Sequence, residues 1–219
     1  MKEVSLSKAL QINGWLIFYS LIICYALYQF GVNNLLFTRE LIFRSYQDLL
    51  PEETITGLLQ FRDRFEWAGY VLLVFSIPVK AGYAAICVNT GTLLAGYDLR
   101  FRDIFKLVLL GEFIFLLAAG IQFFWLTEVV RPETLQAARG GYPLSVLSLL
   151  SKEAVPEWLY PPLMKLNLFE AGYVIFISLG LKEYLDRSFK RVFPVVFLSY
   201  GMGALLIIVL VMFLSLQAG

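Results

Sequence analysis

Residues 192–216 read VFPVVFLSYGMGALLIIVLVMFLSL, twenty-five positions without one charged side chain. A hydrocarbon layer about 30 Å thick needs about 20 helical residues to cross it. Inside lipid each backbone N–H and C=O must be satisfied within its own segment, so a run of this kind is a helix. Outward from it, four further runs of similar character occupy 168–185, 105–127, 67–90 and 14–37. The expected fold is all-α: a polytopic membrane helical bundle of five transmembrane helices, one integral membrane domain over 1–219.

The composition agrees. Hydrophobic residues make up 59% of the chain, charged residues 16%, and the mean hydropathy of +0.72 lies outside the range of soluble domains. The spans and their flanks leave no room for a separate soluble domain of ordinary size. A net charge of +1 argues against a nucleic-acid partner, which calls for a clustered basic face. Histidine is absent, which removes the commonest general base and a major metal ligand. No metal and no cofactor are expected. Cys24 and Cys87 both fall inside spans and read as small apolar side chains. Trp15 to Phe30 is too long and too aromatic for the core of a cleaved signal peptide, so it reads as a retained first span.

Lysine and arginine close to span ends mark the cytoplasmic side. Three short segments are dense in them: Lys2 and Lys8; Arg100, Arg102 and Lys106; Lys182, Arg187, Lys190 and Arg191; the two long connections carry four each, diluted over more residues. With an odd number of spans these segments share one face, so the expected topology is N-terminus in the cytoplasm and C-terminus outside. The two long outer connections should carry short interfacial helices. Thr38 to Leu50 is amphipathic up to Pro51, and a second helix should run from Glu52 to Phe65. Tyr142 to Leu150 and Pro156 to Met164 are apolar but too short to span, with Trp158 and Tyr160 as interface anchors and a candidate docking surface.

Charges at membrane depth call for a partner or a function. Lys80 in the second span and Glu112 in the third stand about 15 Å and about 10 Å above the inner boundary at 1.5 Å of rise per residue. Those heights place the two in side-chain reach, and an ion pair is expected. Pro78 should kink the second span beside Lys80 and free backbone carbonyls there. Ser76, four residues before Lys80 on the same face, gives suggestive serine–lysine geometry. Gln122 is a further polar neighbour in the third span. Glu170, in the first turn of the fourth, reads as a complement to the helix dipole. Small residues mark close helix approaches: Ala81, Gly82, Ala84 and Ala85; Ala118, Ala119 and Gly120; Gly172 and Gly180; Ser199, Gly201, Gly203 and Ala204.

No phosphate-binding loop, HExxH helix, GxSxG elbow or CxxC pair is present in the sequence. Asn167 to Gly180, the basic turn from Lys182 to Arg191, the long final span and Arg102 to Phe113 together resemble the bacterial Yip1-like family of membrane proteins. The resemblance covers about half of the chain. It implies a five-helix fold in a bacterial inner membrane and a non-enzymatic, partner-binding role. Eukaryotic relatives of that family bind small GTPases through a long cytoplasmic N-terminus, and here the segment before the first span is short. The leading expectation is a subunit or assembly factor of a larger membrane complex, in contact with the bilayer and other integral membrane proteins or a second copy of itself. The alternatives are a small transporter component using Lys80 and Glu112, and an intramembrane enzyme using Ser76 and Lys80.

Overall fold

A computed structural model of the chain describes residues 12–135, 137, 144–150 and 155–217. Lys2, Lys8, Tyr142, Pro143, Ala218 and Gly219 lie outside the described residues. Among those described there is no strand, only an isolated bridge between Ser145 and Asn167. In chain order the helices are α1 (Gly14–Gly31), α2 (Arg39–Tyr46), α3 (Glu52–Leu94), α4 (Phe101–Phe124), α5 (Tyr160–Lys165), α6 (Leu168–Leu185) and α7 (Phe189–Gln217). Among the described residues, four helical stretches are long and apolar enough to cross a membrane: Gly14–Leu36, Glu52–Leu94, Phe101–Val130 and Phe189–Phe213. The segment expected as the remaining span, α6, has 18 residues but carries Glu170, Lys182 and Glu183.

The helix expected over Glu52 to Phe65 is not separate. It continues without a break into the following span, giving a helix of 43 residues. The reason is local: Arg62 to Glu66 is charged but contains no helix breaker, and charged residues with straight side chains favour helix. Pro51 stands just ahead of the first turn, and α3 passes through Pro78 as well.

Turn chemistry explains the helix ends. Gly96, at φ +76, takes the left-handed position that closes α3, with Tyr97 N–H bonded to Thr92 C=O at 2.9 Å. Asp186, also left-handed at φ 47, closes α6 and leaves three residues before α7 begins. So short a link makes α6 and α7 packed antiparallel neighbours. Asn167 caps α6: its Oδ1 accepts from Glu170 N–H at 2.9 Å, while its Nδ2 donates to the Met164 carbonyl at 3.0 Å.

By their contacts the residues divide into two compact units. The first comprises the chain up to Leu21, Pro78–Phe115 and everything from Leu144 onward. Its core is built from helical stripes: Ala81, Ala84, Ala85 and Val88; Ile104, Leu107, Val108 and Gly111; Tyr173, Val174, Ile177 and Leu181; Val192 and Val196. Glycine brings the backbones close. A Cβ on Gly180 would collide with the Leu107 side chain, and one on Gly203 would meet Cys87 Sγ at 2.5 Å. Tyr83 adds a cross-helix bond, its hydroxyl donating to the Gly203 carbonyl at 2.8 Å. Short pieces at Val146–Leu149, Glu157–Leu159 and α5 precede α6; Glu157–Leu159 and α5 pack on α7, and the first piece is fastened beside the start of α6 by Val146 N–H to Leu166 C=O at 2.9 Å and Leu168 N–H to Leu144 C=O at 3.1 Å.

The second unit holds Ile22–Ile77 and Leu116–Pro143. Here α1 and α4 each end in a wider π-turn, Val32–Leu36 and Trp125–Val130. Arg62 satisfies carbonyls left over by the first of these, donating to Phe37 at 2.7 Å and Asn33 at 3.2 Å. Asn33 in turn donates to Glu66 Oε1 at 3.0 Å, and Arg39 pairs with Asp63. These bonds fix α2 and the π-turn against the first third of α3.

Candidate functional site

Three helices of the first unit bring polar or aromatic groups to one level. Lys80 lies fourteen residues before the end of α3, Phe115 fourteen residues after the start of α4, and Glu170 fifteen residues before the end of α6. At 1.5 Å per residue each is about 21–22 Å from the basic-turn end of its helix. Glu112, Tyr173 and Tyr200 lie within about one turn of that level.

The structure brings Lys80 and Glu112 together, with Lys80 Nζ donating to Glu112 Oε2 at 2.8 Å. The same ammonium stands 3.9 Å from the centroid of the Phe115 ring, in cation–π contact. A second pair mirrors it. Lys165 pairs with Glu170 Oε1, and its Nζ is 5.6 Å from the same Phe115 centroid. Glu170 Oε2 accepts from the Tyr200 hydroxyl at 2.7 Å. The Tyr173 ring connects the halves, 4.9 Å from Phe115 and 5.0 Å from Tyr200 between centroids, and it lies in electrostatic reach of both Glu112 and Glu170.

Two ammonium and two carboxylate groups thus form a layer with no net charge. That balance matters in a low-dielectric setting, where an unpaired charge is far more costly than a paired one. The pairs differ in burial. The Glu112 side chain is 2% exposed, whereas that of Lys80 is 47% exposed. Glu112 Oε1 and the Tyr173 hydroxyl are buried without a hydrogen-bond partner among the described residues. Chemically, the layer offers one unused acceptor and one unused donor beside a stabilised cation.

Other expected site residues fall elsewhere. Pro78 lies two residues before Lys80 within the continuous α3. Ser76 belongs to the second unit, where its hydroxyl donates to the Leu73 carbonyl at 3.1 Å. Gln122, half-buried on α4, also belongs to that unit. Glu170 was expected to serve the helix dipole; its carboxylate does stand in the first turn, but it also carries the Lys165 and Tyr200 contacts. Trp158 is exposed in the Glu157–Leu159 turn, and Tyr160 opens α5 half-buried.

Sequence reasoning did not select Phe115, Lys165, Tyr173 or Tyr200. One signal was available: Tyr173 follows Glu170 by three residues and so shares its helix face. Tyr200 is the one aromatic residue of α7 with a hydroxyl, a second signal that was available. Among the described residues no three histidine, cysteine or acidic side chains converge as metal ligands. Comparison with protein-family models, with curated proteins and with solved structures found no match.

Proposed function

We propose that this integral membrane protein acts as a non-enzymatic subunit or assembly factor of a larger membrane complex. Lys80 carries the reading. Its ammonium is paired with Glu112, but a lysine side chain at membrane depth that is 47% exposed still brings a charged group to the surface facing lipid, which is costly unless something polar lies beside it. A polar patch on a neighbouring membrane protein would cover it. The Phe189–Phe213 stretch supports the same reading, since only 11% of its most apolar window is buried within the protein. The remaining surface is available to lipid and to a partner helix, with Trp158 and Tyr160 at the adjoining interface.

The topology belongs to the same proposal: five spans with α6 as the fourth, the N-terminus cytoplasmic and the C-terminus outside, in a bacterial inner membrane. It rests on the three short basic segments falling on one face, and it agrees with the Yip1-like resemblance. The decisive experiment is a mild-detergent pull-down of tagged protein from its native membrane, with mass spectrometry of what co-purifies. The expected result is another integral membrane protein at fixed stoichiometry. A solitary protein overturns the proposal.

One observation favours a second reading, a transporter component. Glu112 Oε1 and the Tyr173 hydroxyl have no partners although both are buried. Tyr173→Phe separates the two readings. In a subunit, deleting an unsatisfied buried hydroxyl should leave stability unchanged or raise it by about 1 kcal/mol. In a transporter the same change should abolish flux into liposomes that hold this protein alone. The enzyme reading through Ser76 has less support, because that hydroxyl is bonded to the backbone of its own helix.

A further inference from the structure

The second unit contains a cavity of about 330 Å³ at the ends of two spans. Its floor is apolar: Leu36 from the first π-turn, Leu41 from α2 and Leu126 from the second π-turn, all buried. Its rim is charged, with Glu40 and Arg44 on one side and Arg131 and Glu133 on the other. The volume falls within the range of small-molecule sites, about 300–1,000 Å³. Because the π-turns close Gly14–Leu36 and Phe101–Val130, the cavity opens where hydrocarbon gives way to headgroups.

The backbone here is unusual at three points. Both spans end in π-turns, a conformation that is rare in helices and often marks functional sites. They are sealed by wide bonds, Phe37 N–H to Val32 C=O at 2.8 Å and Arg131 N–H to Leu126 C=O at 2.9 Å. Arg131 itself is left-handed at φ 45, a strained conformation for a residue with a side chain. Had α4 simply stopped earlier in α geometry, Leu126 and Arg131 would not stand on the same opening.

We infer that this cavity binds the headgroup of a phospholipid carrying both a phosphate and a primary ammonium, with the root of its acyl chains on the leucine floor. The charges give the reason. Two arginines suit a phosphate, and two glutamates suit an ammonium; the four balance, so a purely anionic headgroup would meet two unanswered carboxylates. In the absence of ligand the arginines lean on acids of their own helices. Arg44 bonds Glu40 Oε1 at 2.5 Å, and Arg131 stands 3.7 Å from Glu128, in both cases at exposed positions. Such exposed pairs are weak and readily exchanged for a phosphate. The inference uses the membrane placement of the spans and does not depend on the subunit proposal.

The test is lipid retention by the full chain. Purified protein is exchanged into mild detergent with equimolar phosphatidylethanolamine and phosphatidylglycerol, and bound lipid is counted by native mass spectrometry. Phosphatidylethanolamine should be retained preferentially. The Arg44→Gln, Arg131→Gln variant should lose about tenfold in retention for each arginine, the worth of a charge-assisted contact. Glu40→Gln, Glu133→Gln works in the opposite sense: it should keep the phosphate and shift preference toward phosphatidylglycerol. All four side chains lie on the rim, so helix content by circular dichroism should not change. Equal retention of the two lipids by the native chain, or a preference indifferent to both double variants, overturns the inference.

Discussion

Lys80→Met should destabilise the protein by about 3 kcal/mol, the low end of the cost of breaking a buried pair, because the lysine is half-exposed while Glu112 is not. The methionine keeps most of the aliphatic stem and its packing on Phe115 but leaves the Glu112 carboxylate buried with neither oxygen bonded. Lys80→Met combined with Glu112→Leu should recover most of the loss, since an apolar pair of similar volume needs no charge compensation. The measurement is unfolding in mild detergent, followed by circular dichroism during titration with a denaturing detergent. A double variant as unstable as the single one would show that the stem packing matters and the pairing does not. If the double variant folds normally yet loses its partner in the pull-down, the pair does more than hold helices together.

Gly111→Ala should cost about 2 kcal/mol, a typical penalty for overpacking a filled core. The added methyl would stand 2.6 Å from Tyr173 Cε2 and 3.0 Å from Cδ2. A flexible side chain could swing away, but this ring is 1% exposed and held between Phe115 and Tyr200. Yielding would displace the group that connects the two acid–lysine pairs. Gly82→Ala provides the control: no atom lies within 4 Å of the new Cβ, so helix propensity alone should stabilise by up to about 1 kcal/mol. Equal behaviour of the two variants in the same unfolding assay would remove the close approach of α4 and α6 from the account.

Both variants touch a site that the sequence revealed only in part. The Lys80–Glu112 contact follows from arithmetic, because two charges in helices joined by a short turn must lie near one height. The same arithmetic locates Glu170 but not its partners. Lys165 ends the short α5, outside the long apolar helices, so counting residues along a span does not fix its height. Tyr173 and Tyr200 carry no charge to betray them among so many aromatic residues. Gly111 was passed over because one glycine in an apolar run looks like any other until the opposing ring is known.

The fold divides in a similar way. Four of the expected spans, near 14–37, 67–90, 105–127 and 192–216, were legible because hydrophobic length is a property of a single segment; the stretch 168–185 forms α6, which is not among the helices long and apolar enough to cross. The fusion of Glu52–Phe65 with the following span was not, because a change from charged to apolar residues was read as a boundary although the backbone has no reason to stop there. The cavity of the second unit was invisible altogether. It is assembled from two stretches some ninety residues apart, around Leu36–Arg44 and Leu126–Glu133, and a π-turn leaves no distinctive pattern in Val32–Leu36 or Trp125–Val130.

The brevity of α6 has a consequence for biogenesis. A segment of eighteen residues with three charges is a poor candidate for entering a bilayer unaided. Its successor is the most hydrophobic of the four long apolar helices among the described residues, and only three residues separate the two. Were α6 to span as proposed, it would be expected to enter as a hairpin with α7, the later helix carrying the earlier one in.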